Sequence, residues 1–195
     1  MGGLTMRKSN YFRISHAKDE QAYSLLLNCR HCTHSQLREY VSVNRIKNYL
    51  NAKMIEPVHI QDKTIYRLTE KGYKEFGNNL VVDNFRYHSN AIEHDIALAD
   101  RYIAVHREQP NCQWRNEEDL KHDRRIAAEQ LREQGRYEAA ERLMSTSVPD
   151  CKVTISTGIS TCYEIVTGNY TQMDISEKYD FTTEMNIDYF EYERI

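Results

Sequence analysis

The chain has little glycine and proline, 7 and 3 in 195 residues. That scarcity excludes long flexible or proline-rich linkers and points to a chain that is folded along most of its length. No apolar run reaches the roughly 18–20 residues that a membrane-spanning helix needs, so no membrane is expected among its partners. Also missing are a glycine-rich phosphate loop, a dinucleotide-binding fingerprint and a Ser-His-Asp pattern, which removes the commonest nucleotide-dependent and acyl-transfer chemistries. The cysteines number five and lack a signal peptide before them. An odd set of this kind does not make a disulfide framework, and reduced thiols in a cytoplasm are expected. Cys29-Arg30-His31-Cys32, with His34 beyond, has no second Cys-x-x-Cys to complete a four-ligand zinc site, so both thiols are read as packed and no metal is expected there.

Charge is unevenly distributed. Residues 1–80 carry 13 Lys and Arg against 7 Asp and Glu, and residues 81–195 carry 13 against 22. The first part is therefore +6 and the second −9, within a net −3. A basic first part can meet a polyanion, whereas the acidic second part cannot hold nucleic acid by charge alone.

In the basic part, Ala22, Leu25, Leu26 and Cys29 share one face of a helix expected over 18–30. Thr33 with Gln36 three residues later forms a capping box for a second helix that buries Leu37 and Val41. Ser42 caps a third helix over 43–53, with Val43, Ile46, Leu50 and Met54 as its apolar stripe. Asn44, Arg45, Lys47, Asn48 and Asn51 fall on the opposite side, rich in groups that hydrogen-bond to base edges and phosphates. Val58-His59-Ile60 and Thr64–Leu68 then flank Gln61-Asp62-Lys63 as a hairpin tip, and Thr69 caps a fourth helix. Three helices, a hairpin and a closing helix compose a winged helix-turn-helix. The stretch Thr33–Leu68, and above all Ile65-Tyr66-Arg67-Leu68-Thr69-Glu70-Lys71-Gly72, resembles winged-helix regulators. The candidate DNA contacts are Ser42, Asn44, Arg45, Lys47, Asn48 and Asn51 on the third helix, with Lys63 and Arg67 on the hairpin. The bland alternative is a solvated polar helix face on a protein-interaction module.

The acidic part reads as α-β-α-β-β-α-β, an α/β unit. Its elements are a helix over about 90–108, a strand near 112–115, a charged helical stretch over 117–144 broken at Gly135, strands at 148–156 and 161–166 turning at Gly158, a helix over 171–182 and a strand over 186–194. Pro149-Asp150 opens one strand, Glu164 lies in the next, and Glu117 stands upstream. This is the skeleton of the PD-(D/E)XK nuclease site, in which carboxylates hold Mg²⁺ and a lysine activates or orients water. The lysine expected two residues after the second acid is replaced by Val166, and Lys178 on the following helix could substitute by reaching into the site from a migrated position. His88, His94, Asp95 and His106 fall along one helical stretch and are read as surface or core residues.

A winged helix followed by a helix bearing His94-Asp95, then Trp114, Glu117-Glu118, Pro149-Asp150 and Tyr163-Glu164-Ile165, is an order that resembles the plasmid replication-relaxation family of Gram-positive mobile elements. The resemblance spans about residues 18–180 through scattered short motifs. It implies DNA binding by the first domain and a nuclease-like second domain. Val166-Thr167-Gly168-Asn169 departs from the acidic residue and Gly-Thr with which that family continues.

The expectation is an α+β winged-helix domain at 1–80, followed by an α/β domain at 81–195 with a degenerate restriction-endonuclease-like fold. The function expected is sequence-specific double-stranded DNA binding, as an accessory or regulatory factor of a plasmid or conjugative element. Mobile-element replication or transfer proteins are the further partners, a homodimer is compatible with the reading, and no cofactor is required. A Mg²⁺-dependent DNA endonuclease using Glu117, Asp150, Glu164 and Lys178 is the alternative, Mg²⁺ then being the cofactor.

Overall fold

A computed structural model of the chain describes residues 12–60, 63–168 and 170–195. Among these residues the protein is a mixed α+β structure of eight helices and two sheets. None of the helices is long and apolar enough to cross a membrane.

The elements follow the sequence signals closely. Helix α1 (His16–Cys29) leads into a short strand β1 (Cys32–Thr33). Thr33 caps α2 (His34–Arg38) through the reciprocal hydrogen bonds with Gln36 that the capping box requires. Val41, expected on that helix, is buried in the turn after it. Ser42 accepts from the Arg45 NH and caps α3 (Val43–Asn51). Strands β2 (Ile55–Ile60) and β3 (Lys63–Leu68) pair antiparallel with Ile60 opposite Lys63, so two residues, Gln61 and Asp62, separate them. The expected tip residues Gln61 and Asp62 lie outside the described residues, and Lys63 opens β3. The first sheet has the order β1-β3-β2. Thr69 caps α4 (Glu70–Asn79), and its hydroxyl also donates to the Lys53 carbonyl at 2.7 Å.

An extended stretch over 81–90 leads to α5 (Ile92–Glu108). Then come β4 (Gln113–Asn116), α6 (Glu117–Glu133), α7 (Tyr137–Ser145), β5 (Cys151–Thr154), β6 (Ser160–Val166), α8 (Gln172–Glu184) and β7 (Tyr189–Arg194). Gly135, at φ 75°, makes the break between α6 and α7, and Gly158, at φ 89°, makes the turn between β5 and β6. The second sheet has the order β4-β5-β6-β7, antiparallel except for β6 and β7, which run parallel across α8.

The hydrophobic core is continuous across residue 80. Leu25, Leu26, Leu37, Ile46, Tyr49, Ile55 and Phe76 belong to the same buried cluster as Leu98, Tyr102, Trp114, Val153 and Ile165. Helix α5 forms the seam: it packs on α1, and the Gln36 amide donates to the Ile96 carbonyl at 2.8 Å and to Asp100 at 2.7 Å. Helix α5 thus contacts a strand of each sheet, β1 and β6, so the two sheets are not strung on a linker.

Candidate functional site

Two groups of the expected site residues are separated by this architecture. The first is α3 and the hairpin. Ser42, Asn44, Lys47, Asn48 and Asn51 are exposed, and Lys63 is exposed at the start of β3. Arg67 is half-buried, with its Nε 2.7 Å from Glu56 Oε1 across the hairpin.

Arg45 departs from the expectation. Its Nε lies 2.7 Å from Asp19 Oδ1, its Nη2 meets Asp19 Oδ2, and its guanidinium sits 4.3 Å from the centre of the Phe12 ring. Asp19 is fully buried and also accepts from the Tyr49 hydroxyl at 2.7 Å. The cause is the phase of α3. Ile46 and Tyr49 are its buried residues, while Leu50 and Val43 are only half-buried. Arg45 lies one turn before Tyr49 on the same side, so both reach Asp19. A buried carboxylate needs that counter-charge. Arg45 therefore ties α3 to α1 and does not belong with the outward polar residues.

The second group is buried. Asp150 precedes β5 and Glu164 lies in β6, and each accepts a backbone NH from the other's strand: Glu164 Oε2 from Asp150 at 3.0 Å, Asp150 Oδ2 from Ile165 at 2.7 Å. Lys178 of α8 places Nζ 2.9 Å from Glu164 Oε1 and donates to the Val148 carbonyl at 2.7 Å. The Tyr170 hydroxyl adds a bond to Glu164 Oε1 at 2.8 Å. On the other side His94 Nε2 lies 3.0 Å from Asp150 Oδ2, and His31 Nδ1 lies 2.7 Å from Asp95 Oδ2. Glu117, the first residue of α6, is half-buried and pairs with Lys121 at 3.0 Å.

Electrostatics follow from burial. Desolvation alone lowers His94, but the hydrogen bond it donates to Asp150 and the negative charges of Asp150 and nearby Asp95 overcome it and push His94 up to about 10. His94 is thus an imidazolium at neutral pH, between two carboxylates. Burial pushes Glu164 up to about 7, reinforced by the Asp150 charge and opposed by Lys178. Asp95 faces the same burial, and the hydrogen bond from His31 together with the nearby His94 imidazole holds it below the usual carboxylate range. Cys29 and Cys32 are fully buried, and desolvation raises both thiols well above their ordinary value.

A Mg²⁺ ion does not fit this donor set. It takes carboxylate oxygens together with several waters in an octahedral shell. Here Asp150 Oδ2 and both oxygens of Glu164 are already occupied by protein donors, with Glu164 fully buried and Asp150 4 % exposed. Among the described residues no group of three or more His, Cys, Asp or Glu is arranged to hold a metal ion.

Lys178, expected from the sequence to reach the acidic pair if α8 packs over it, does reach Glu164, whereas His31 and Tyr170 carried no local signal. His94 and Asp95 did. The inward stripe Leu98-Ala99 and Tyr102-Ile103, carried back one turn, lands on them.

No protein-family model, no curated protein and no solved structure matches the chain.

Proposed function

We propose that the chain is a sequence-specific double-stranded DNA-binding protein in which residues 1–80 act as a winged helix-turn-helix. The observation that carries this reading is the outward face of α3, where Asn44, Lys47, Asn48 and Asn51 are all exposed directly after the α2 turn and before a hairpin whose second strand opens with exposed Lys63. Amide side chains on such a face present the paired donor and acceptor that the major-groove edge of adenine takes, and the lysines supply phosphate contacts. The positive balance of residues 1–80 adds the counterion-release contribution.

In this reading the second part is a restriction-endonuclease-like scaffold, supported by the mixed four-stranded sheet whose last two strands run parallel across α8. Its acidic pair is neutralised internally by His94 and Lys178 and serves stability. A role as accessory factor of a plasmid or conjugative element follows from the resemblance to the replication-relaxation family. The nuclease reading is favoured by the convergence of Asp150, Glu164 and Lys178 and opposed by their saturation.

The test is selection of duplexes from a random pool by the full chain, followed by titration of the winner over a range of salt. Lys63→Ala is expected to weaken all duplexes alike and to reduce the slope of log K against log salt by about 0.9, the value of one phosphate contact on B-DNA. Failure to enrich any sequence sinks the proposal.

A further inference from the structure

A cavity of about 420 Å³ opens where the hairpin, the end of α1 and the extended stretch over 81–90 meet. Neither the outward face of α3 nor the buried acidic pair contributes to it. Three arginines line it, Arg30, Arg67 and Arg86, together with His88 and the buried ring of Tyr87. Two of the arginines are paired with carboxylates that also line the cavity: Arg67 with Glu56, and Arg86 with Glu70. Among the described residues no carboxylate lies within ion-pair distance of Arg30.

Arg30 also holds an unusual backbone. Its φ is 61° and its ψ −57°, and the following His31 NH donates to the Cys29 carbonyl at 2.7 Å. This is a tight three-residue turn with positive φ at its centre, a conformation that crowds an L side chain. Glycine would adopt it without penalty. A long cation stands there instead, at the wall of a cavity, and strain kept at such a place marks a use for the side chain.

We propose that this cavity binds a small organic phosphate of about mononucleotide size. Guanidinium forks match phosphate oxygens in pairs, which an ammonium does not. The volume lies within the ~300–1,000 Å³ of small-molecule sites, and Leu26 and Leu68 provide apolar wall for the organic portion. The resident ion pairs are exchangeable. Glu70 is 75 % exposed, so a phosphate dianion competes with a solvated carboxylate for Arg86 while Arg30 provides the unopposed charge. The ligand would bridge the hairpin and the stretch leading to α5, the position from which a small molecule adjusts one part against the other.

The inference does not rest on DNA binding, and its test contains no DNA in its first arm. The full chain is titrated by calorimetry with AMP, GMP, ribose 5-phosphate, inorganic phosphate and adenosine, and its thermal unfolding is followed with each. At least one of the three phosphate esters is expected to bind and raise the Tm, adenosine is expected to do neither, and inorganic phosphate is expected to bind at least tenfold more weakly than the best ester. Arg30→Gly relieves the turn, so it is expected to unfold at the same or a higher temperature while binding that ester at least tenfold more weakly, and Arg30→Ala is expected to lose affinity equally. The proposal is overturned if none of the three esters binds at millimolar concentration, if adenosine matches AMP, or if both Arg30 variants bind like the wild type. A second arm titrates a DNA duplex. Weakened duplex binding by Arg30→Gly, with no ester bound, would assign the site to the DNA backbone and overturn the small-ligand proposal as well.

Discussion

His94 Nε2 lies 3.0 Å from Asp150 Oδ2, so an imidazole from α5 closes the charge of an acid just before β5. The pair makes stability depend on pH in a defined direction. His94 is raised from 6.5 to about 10 in the folded chain, so its contribution is complete below pH 6.5 and is lost as the pH rises through 10. Glu164, raised from 4.5 to about 7, has the same sign: its contribution is complete below pH 4.5 and is lost as the pH rises through 7. Urea unfolding of the wild type should therefore show stability falling from mildly acidic to alkaline pH. His94→Gln should cost about 3–5 kcal/mol at neutral pH, because it leaves Asp95 and Asp150 buried without that cation. It should also flatten the fall between pH 6.5 and 10. A variant with the wild-type pH profile would refute the assignment.

Arg45 and Asn48 stand one turn apart on α3 and have opposite expected phenotypes. Arg45→Ala should lower stability by about 3 kcal/mol, since it strips the counter-charge from fully buried Asp19. Asn48→Ala should leave stability within about 0.5 kcal/mol, as an exposed substitution does. On the selected duplex it should cost roughly 1–3 kcal/mol of discrimination. Denaturant titration and duplex titration of the two variants side by side would check this. If Arg45→Ala folds with wild-type stability and loses only DNA, the inward placement of Arg45 carries no energetic weight.

What was legible in the sequence was what is encoded over a few residues. The Thr33-Gln36 capping box, the Ser42 and Thr69 caps, and the breaks at Gly135 and Gly158 depend on neighbours within a turn, and all formed. The convergence of Asp150, Glu164 and Lys178 was readable as a conditional, because two adjacent strands and the next helix fix it. What was not legible depends on partners far along the chain. Asp19 claims Arg45 from 26 residues away, and Asp95 meets His31 across 64. The phase of α5 puts His94 and Asp95 on its inward side, but the partners that hold them there are not written near them.

The Thr69-Glu70-Lys71-Gly72 run that leads from the hairpin into α4 has a steric requirement at Gly72. A Cβ there would stand 1.8 Å from the Met54 carbonyl oxygen, which itself accepts from the Thr69 NH at 3.1 Å. Helix α4 can start against the beginning of β2 only without a side chain at this position. Gly72→Ala should push α4 off the sheet and cost about 3 kcal/mol or more. The check is a lower urea midpoint with an unchanged denaturant slope. Gly168→Ala, where an added Cβ meets nothing within 4 Å, is the control and should unfold with the wild type.

The second part should not cut DNA. Hydrolysis at such a site needs a Mg²⁺ ion on carboxylate oxygens that still leave room for water, and a group that activates the attacking water. Both oxygens of Glu164 and Oδ2 of Asp150 are already held by His94, Tyr170, Lys178 and two backbone NH groups, which leaves Asp150 Oδ1 as the one oxygen without a protein donor among the described residues. Lys178 is likewise spent on Glu164 and the Val148 carbonyl. Opening the site would separate an imidazolium from a buried carboxylate and place it beside a divalent cation, which costs several kcal/mol before any substrate arrives. The acidic balance of residues 81–195 also repels the phosphate backbone, so the substrate would have to be held wholly from α3. Purified chain incubated with supercoiled plasmid and Mg²⁺ or Mn²⁺ is expected to leave it supercoiled, as is Asp150→Asn, whose folding is checked by circular dichroism. Nicking by the wild type that Asp150→Asn lacks would show that the cluster opens on DNA, and would make Lys178 the first candidate for the group that handles the attacking water.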